Sequence, residues 1–305
     1  MIIMAIEKNR LKENVTGPFF VDSSCIDCGS CWRIDPAHFL PSKTNAYVHT
    51  QPNGKEEIQK AFLALLDCPV SAIGAPKEVV LDCSSDDFPI LVTKHPAGDV
   101  YYCGWSSKKS FGASSWFILR PEGNVLIDSP RWSPPLAKRI QKMGGIKLMI
   151  LTHRDDVADH AKWAMAFKCK RWIHEDDSDA LPEAESKARG HNDLYISKKL
   201  TLIPTPGHTQ GSMVVLLGDE KQILFSGDHL WWNLEKKVLV ASKDFCWWNW
   251  KEQLKSVKKL LHLDVEWLLP GHGYAKQFQQ GEWEEAVIKT LQFREWEESK
   301  KRTLA

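Results

Sequence analysis

The stretch LTHRDDVADHAKW, residues 151–163, gathers His153, Asp155, Asp156, Asp159 and His160 into one short element. Imidazole and carboxylate are the ligands that zinc and iron take in open catalytic sites. Three later phrases carry the same donor types: PGHTQGS with His208, SGDH with Asp228 and PGHG with His272. Each lies just past an apolar run, where a loop can turn a side chain into a shared cleft. A single histidine after a strand is more often a hydrogen-bonded structural residue. Four such elements in succession read as one metal site, and Gly207, Gly227 and Gly271 let the backbone crowd together beside it.

A second set of donors is made of thiols. Of the eight cysteines, three sit in CIDCGSC as Cys25, Cys28 and Cys31, and Cys68 opens CPVSAIG. Cys-x2-Cys-x2-Cys with a distant Cys-Pro is the ligand pattern of a cubane iron–sulfur cluster. Two intervening residues let a tight loop present three thiolates to three corners, and the distant cysteine closes the fourth. A four-cysteine zinc site more often uses two separated Cys-x2-Cys pairs. The pattern therefore reads as a [4Fe–4S] cluster. Cys83, Cys103, Cys169 and Cys246 show no pairing motif and read as small buried hydrophobes.

These groups need elements to hold them. EEIQKAFLALLD has Ile58, Ala61, Phe62 and Leu65 at the spacing of one helical face and delivers Cys68 at its end. From about residue 77 short apolar strands separated by turns take over. SSWFILRPEGNVLIDSPRW reads as a hairpin around Pro121-Glu122-Gly123-Asn124. IKLMILTH is a strand ending on His153, DHAKWAMAF a helix with Ala161, Ala164 and Phe167 on one face, and CKRWIHED another strand. KLTLIPTPGH, SMVVLLGDE, KQILFSGDH and VEWLLPGHG give four more strands, with an amphipathic helix over 250–262 before the last. A final helix, 282–300, carries Trp283, Val287 and Leu291 on one side. This order predicts a layered α/β domain over residues 77–305, preceded by a small α+β domain over residues 1–76.

Composition narrows the function. The 305 residues are 43% hydrophobic and 26% charged, with 40 basic against 39 acidic side chains. That balance supplies no field for holding nucleic acid, which a basic excess or stripe would provide. The longest apolar runs are too short to cross a bilayer. MIIMAIEKNRLKEN lacks the basic start and long apolar core of a secretory signal. The expected compartment is the cytoplasm, where cysteine clusters more often bind metal or do redox work than form disulfides. Fourteen tryptophans are many, with WW at 231–232 and WWNW at 247–250. Most read as packing, and the other reading is an aromatic wall around a substrate pocket.

Residues 14–76, with FFVDSSCIDCGSC, DPAHF and ALLDCPVSAIG, resemble small single-cluster ferredoxins. Two-cluster ferredoxins carry a further cysteine before a proline in the first run. Asp35-Pro36 stands at that place, so the resemblance implies one cluster. Residues 77–275, with LIDSP ahead of the four donor phrases, resemble the metallo-β-lactamase superfamily. That resemblance implies an αββα sandwich with a two-metal cleft at one edge. The family writes its first element Thr-His-x-His-x-Asp-His. Here Asp155 holds the place of the second histidine, with Asp156 its rival, and the Asp-His pair arrives two residues late as Asp159-His160. Carried over, His153, Asp155 and His208 hold one metal, Asp159, His160 and His272 hold the other, and Asp228 bridges them. Asp159 and Asp228 are the carboxylates the resemblance implies for catalysis. His174 and His229 match no ligand position and read as structural, and His95, His191 and His262 carry no signal.

The implied cofactors are one [4Fe–4S] cluster and two divalent metals. Zinc comes first, with iron or manganese as alternatives, because a carboxylate in place of an imidazole makes half of the site harder. Three functions compete. The leading one is a metal-dependent hydrolase of an ester, thioester or lactone, similar to glyoxalase II-like members, with the cluster as an electron-transfer or regulatory domain. The second is an oxidoreductase whose ferredoxin domain feeds a di-iron centre, similar to flavodiiron proteins but without their flavodoxin domain. The third is a non-catalytic cluster-sensing or interaction protein. Expected partners are a small-molecule substrate and a redox partner protein, with neither nucleic acid nor membrane among them.

Overall fold

Phe20–Val21 pairs antiparallel with Ile73–Gly74 and closes the N-terminal segment on itself in the computed structural model, which describes residues 5–303 and side chains as far as residue 294. Between those strands the helix Lys55–Asp67 begins with Glu56 and Glu57 at the positive end of its dipole. Of the expected face Ala61, Phe62 and Leu65 are buried and Ile58 is half-buried, but Leu63, Ala64, Leu66 and Asp67 are buried as well. One-face periodicity understates this helix. At its end the loop after the strand Asp99–Tyr102 meets it, the Ser106 N–H reaching Asp67 at 2.9 Å.

The described chain divides into two compact units. One takes the chain up to Met149 together with Val157–Cys169, and the other takes Ile150–Asp156 and everything from Lys170 onward. In the first unit four strands, Ile90–Thr93, Asp99–Tyr102, Trp116–Leu119 and Val125–Ile127, run as an antiparallel meander. The expected hairpin is the last pair of these. The helix His160–Phe167 also forms; of its expected face Ala164 is buried and Phe167 half-buried, but the inward side is centred elsewhere. Ala161 is exposed, while Trp163 is fully buried, stacks on Phe167 and donates from Nε1 to the Pro130 carbonyl at 3.0 Å. The indole has the largest apolar area in the helix, and it decides which side turns inward.

In the second unit six strands are hydrogen-bonded in the order Leu194–Ser197, Leu200–Pro204, Met213–Leu217, Gln222–Gly227, Val265–Pro270, Lys276–Gln277. All neighbours are antiparallel except Gln222–Gly227 with Val265–Pro270. A parallel step needs a crossover. It is made by the hairpin of Trp231–Asn233 with Val238–Val240, followed by the helix Trp250–Lys259. Asn249 caps that helix by accepting from the Lys251 and Glu252 N–H groups. The last helix, Glu282–Thr303, sends Trp283 and Val287 into a core with Leu230, Trp232, Val257 and Leu268. The chain is mixed α/β, and among the described residues no helix is long and apolar enough to cross a membrane.

Candidate metal centres

Cys25, Cys28, Cys31 and Cys68 line one small cavity together with Val21, Ile26, Ala46 and Ile73. Cys31 rides on the short helix Ser30–Ile34, and Cys68 is the C-cap of Lys55–Asp67. Backbone N–H groups point at the sulfurs: Ala46 N to Cys25 Sγ at 3.3 Å and Ala72 N to Cys68 Sγ at 3.2 Å. Such donors favour thiolate over thiol. Burial pushes the Cys31 thiol well up, and the charges of Cys28, Cys68 and Cys25 push it further; burial, against the pull of the Val70 and Ala72 N–H groups, takes Cys68 up to about 12. Four thiolates this close and this buried repel one another unless a cation sits among them, and metal coordination deprotonates a thiol outright. The donor set fits a cluster. Asp35, where a further cysteine would stand in a two-cluster protein, is buried and holds His38 Nδ1 at 2.8 Å.

Gly112 presses on this loop. A Cβ there would come within 2.6 Å of Cys28 Cβ, and its φ of +83° already favours glycine. Its carbonyl accepts from Arg33 Nη2 at 2.8 Å and Ser30 Oγ at 3.3 Å. Nothing in the local sequence pattern marks Gly112 as a neighbour of the cysteines, because the contact joins residues far apart in the chain.

The second set of donors lies at strand ends of the other unit. His153 follows the strand Leu148–Ile150, which stops short of it, and Asp155 and Asp156 lie on the 3-10 turn Arg154–Asp156. His208 sits between Leu200–Pro204 and Met213–Leu217. Asp228 and His272 come just after the two parallel strands, which are in register as Gly227 opposite Pro270. Gly271 is required there. A Cβ on it would meet Asp228 Oδ1 at 2.6 Å and Asp156 Oδ2 at 3.1 Å.

The distances have the spacing of ligands around an ion. Asp155 Oδ2 lies 3.4 Å from His208 Nε2 and 3.8 Å from His153 Nε2. Asp228 Oδ2 lies 3.7 Å from His153 Nε2 and 3.9 Å from His208 Nε2. Two ligands each about 2.1 Å from one tetrahedral ion are about 3.4 Å apart. Both Nε2 atoms are buried and have no hydrogen-bond partner. Their other ring nitrogens are engaged, His153 Nδ1 with Thr152 Oγ1 at 3.0 Å and His208 Nδ1 with the Phe245 carbonyl at 2.5 Å. The carbonyl fixes His208 as the Nδ1–H tautomer and leaves the Nε2 lone pair facing the acids. Among the described residues two groups can each hold an ion, His153 with Asp155 and His208, and His153 with Asp156 and Asp228.

The charges fit the same purpose. Burial pushes His153 down to about 4, against the opposing pull of Asp228. Burial also pushes the Asp228 carboxyl up, but His272, at 2.8 Å from Oδ1, with His153 and His208, outweighs it and holds the carboxyl well below its usual range. The contact with His208 likewise holds Asp155 down. Anionic carboxylates beside neutral imidazole form a set that a divalent cation completes.

Residues 21–75 match the 4Fe-4S single cluster domain of ferredoxin I, and residues 196–272 match the metallo-β-lactamase superfamily. One chain thus carries a match to a single-cluster ferredoxin domain ahead of a match to the metallo-β-lactamase superfamily. Among solved structures, VMB-1 is similar at 20% identity and a TM-score of 0.50, covering 66% of this chain and 94% of its own. A HARLDQ-motif mutant of a metallo-β-lactamase from Cronobacter sakazakii is 14% identical with a TM-score of 0.49, covering 70% of this chain and 98% of its own. At these identities the likeness is one of fold. No curated protein matches the chain.

The donor groups that the geometry brings together differ from the set the resemblance implies. Both carboxylates of the Asp155-Asp156 pair enter ligand groups, whereas neither group includes Asp159, His160 or His272. Asp159 Oδ1 instead accepts from Lys109 Nζ and Oδ2 from the Trp132 N–H, both at 2.9 Å. It stands at the N-cap position of the helix His160–Phe167 without making a capping bond. His174 has both ring nitrogens engaged, Nδ1 by the Asp176 N–H and Nε2 by the Gly190 carbonyl, a structural role. His229 is buried, and neither of its ring nitrogens has a hydrogen-bond partner.

Proposed function

We propose that the protein is a metal-dependent hydrolase of a small-molecule ester, thioester or lactone, and that the cluster domain serves electron transfer or regulation through a redox partner protein. The observation that carries this reading is the pair of buried, unpartnered Nε2 atoms of His153 and His208 facing Asp155 and Asp228. His153, Asp155 and His208 would hold one divalent ion. Asp156 and Asp228 would hold the second, with His272 anchored on Asp228 Oδ1 beside it. When bound, such ions acidify water and polarise a carbonyl. The chain's own part is to fix the donors. The Phe245 carbonyl orients His208, and Asp228, in reach of both histidines and of His272, ties the two positions together.

One observation favours the di-iron oxidoreductase instead: three carboxylates and two imidazoles make a donor set hard enough for iron. Anaerobic purification with metal and sulfide analysis separates the readings, together with assays on acetyl thioesters, aryl esters and lactones. The expected result is the iron and sulfide of one cluster plus two zinc ions per chain, with cleavage that a chelator abolishes. Iron in both non-cluster positions, with turnover only in the presence of a reductant, would replace hydrolysis by the redox reading.

A further inference from the structure

A row of aromatic side chains, Phe245 and Trp247 exposed and Trp231 half-buried, begins at the His208 ligand. Trp247 lies 6.1 Å from the His208 ring, Phe245 lies 6.4 Å from Trp247, and Trp231 lies 6.2 Å from Phe245. The row ends on the turn that carries His272, since a Cβ at Gly273 would fall 2.5 Å from the Trp231 indole. Phe245 is 55% exposed and Trp247 64% exposed, whereas Trp232, on the opposite face of the same strand as Trp231, is 8% exposed and packs in the core. Packing therefore accounts for Trp232 and not for this row.

The backbone that carries the row is also anchored. The Trp247 and Trp248 N–H groups donate to the His208 carbonyl at 2.9 and 3.1 Å, the Asn249 N–H donates to Gly207 O at 3.0 Å, and the Phe245 carbonyl holds His208 Nδ1. One five-residue segment thus orients a ligand and presents the rings of Phe245, Trp247 and Trp248 to solvent. Exposing contiguous apolar rings is unfavourable unless something covers them. A backbone fixed before binding loses little entropy when that happens.

We propose that Trp231, Phe245 and Trp247 form the subsite for a flat apolar group, an aryl ring or its like, on the acyl side of the substrate. The proposal rests on the hydrolase reading for the word substrate, but the binding it claims can be measured without turnover. Calorimetry on the holo-protein would compare 2-naphthylacetate with acetate, and kinetics would compare the naphthylacetyl and acetyl thioesters. Naphthylacetate should bind about tenfold tighter or better, and Trp247→Ala should remove most of that preference. The ratio of kcat/KM for the two thioesters should fall by a similar factor in the variant. Phe245→Ala serves as the second variant if the first fails to fold or to retain metal. Selective binding with no thioester or ester cleavage would remove the hydrolase reading and leave the subsite standing. Equal binding of the two acids, or cleavage whose ratio neither variant alters, would overturn the subsite. So would sedimentation as a dimer that Trp247→Ala dissociates, because the row would then be an interface between copies.

Discussion

The Tyr102 hydroxyl donates a 2.8 Å hydrogen bond to Asp67, the residue immediately before Cys68. Asp67 is fully buried, and its other oxygen accepts from the Ser106 N–H at 2.9 Å. The end of the cysteine-bearing helix is thereby fastened to the strand Asp99–Tyr102. Tyr102→Phe leaves one oxygen of a buried carboxylate without its donor, which costs about 1–3 kcal/mol. The expected outcome is a lower urea midpoint for bleaching of the cluster absorbance, with unchanged cluster content in buffer. An unchanged midpoint would show that the bond contributes nothing net.

The cluster itself is tested at two positions. Cys28→Ser should abolish the broad visible absorption and the acid-labile sulfide of anaerobically prepared protein. Gly112→Ala acts from outside the ligand set, forcing a Cβ to within 2.8 Å of Cys28 Sγ at a φ of +83°. A non-glycine residue in that left-handed region costs about 1–2 kcal/mol before any clash. The variant should assemble its cluster but bleach faster in air. A colourless wild-type protein holding one zinc among these thiols would remove the cluster assignment.

The order of elements was legible in the chain because it is local. Strand alternation, the helical spacing of Trp283, Val287 and Leu291, and the Cys-x2-Cys-x2-Cys loop all lie within short windows. The hidden features are long-range. No pattern near His208 shows that a carbonyl 37 residues away fixes its tautomer, or that the following rings stay exposed. The helix Pro134–Lys142 also went unread, although Ser133 accepts from the Leu136 N–H as its cap and proline opens its first turn. The altered motif shows the limit most plainly. The sequence offers Asp155, with Asp156 its rival, for the altered place and Asp159 for the displaced Asp-His pair, and only packing shows which of them face the cleft. Gly271 leaves room for Asp156 next to Asp228, while Lys109 and Trp132 occupy Asp159.

Metal stoichiometry should follow that geometry. Asp228 Oδ2 faces His153 and His208, and Oδ1 faces His272. Asp228→Ala should therefore lose both non-cluster ions, whereas His272→Ala should spare one. Asp155→Ala should lose the ion it shares with His153 and His208 and keep the other. Elemental analysis after desalting reads all three, and an Asp228→Ala protein that keeps both ions would exclude a shared carboxylate.

Acid should destabilise the metal-free protein in a defined window. Burial pushes His153 down to about 4 and His229 down to about 3, from an ordinary value of 6.5. Above pH 6.5 both imidazoles are neutral in the folded and unfolded chains, so neither affects the balance. As pH falls below 6.5 the unfolded chain takes up protons that the folded chain refuses, and stability falls until the folded values are reached. Each imidazole contributes about 1.4 kcal/mol per pH unit across that range. His208, pushed down by burial but held above its ordinary value by Asp155 and Asp228, adds stability that is already fully present below pH 6.5. It therefore adds no slope inside the window. The urea midpoint of the chelator-treated protein should fall steadily between about pH 6.5 and 4, and His229→Leu should remove about half of that slope. A midpoint flat through this range would mean that both rings take up protons in the fold, and the neutral, lone-pair-bearing His153 on which the metal reading depends would be lost with it.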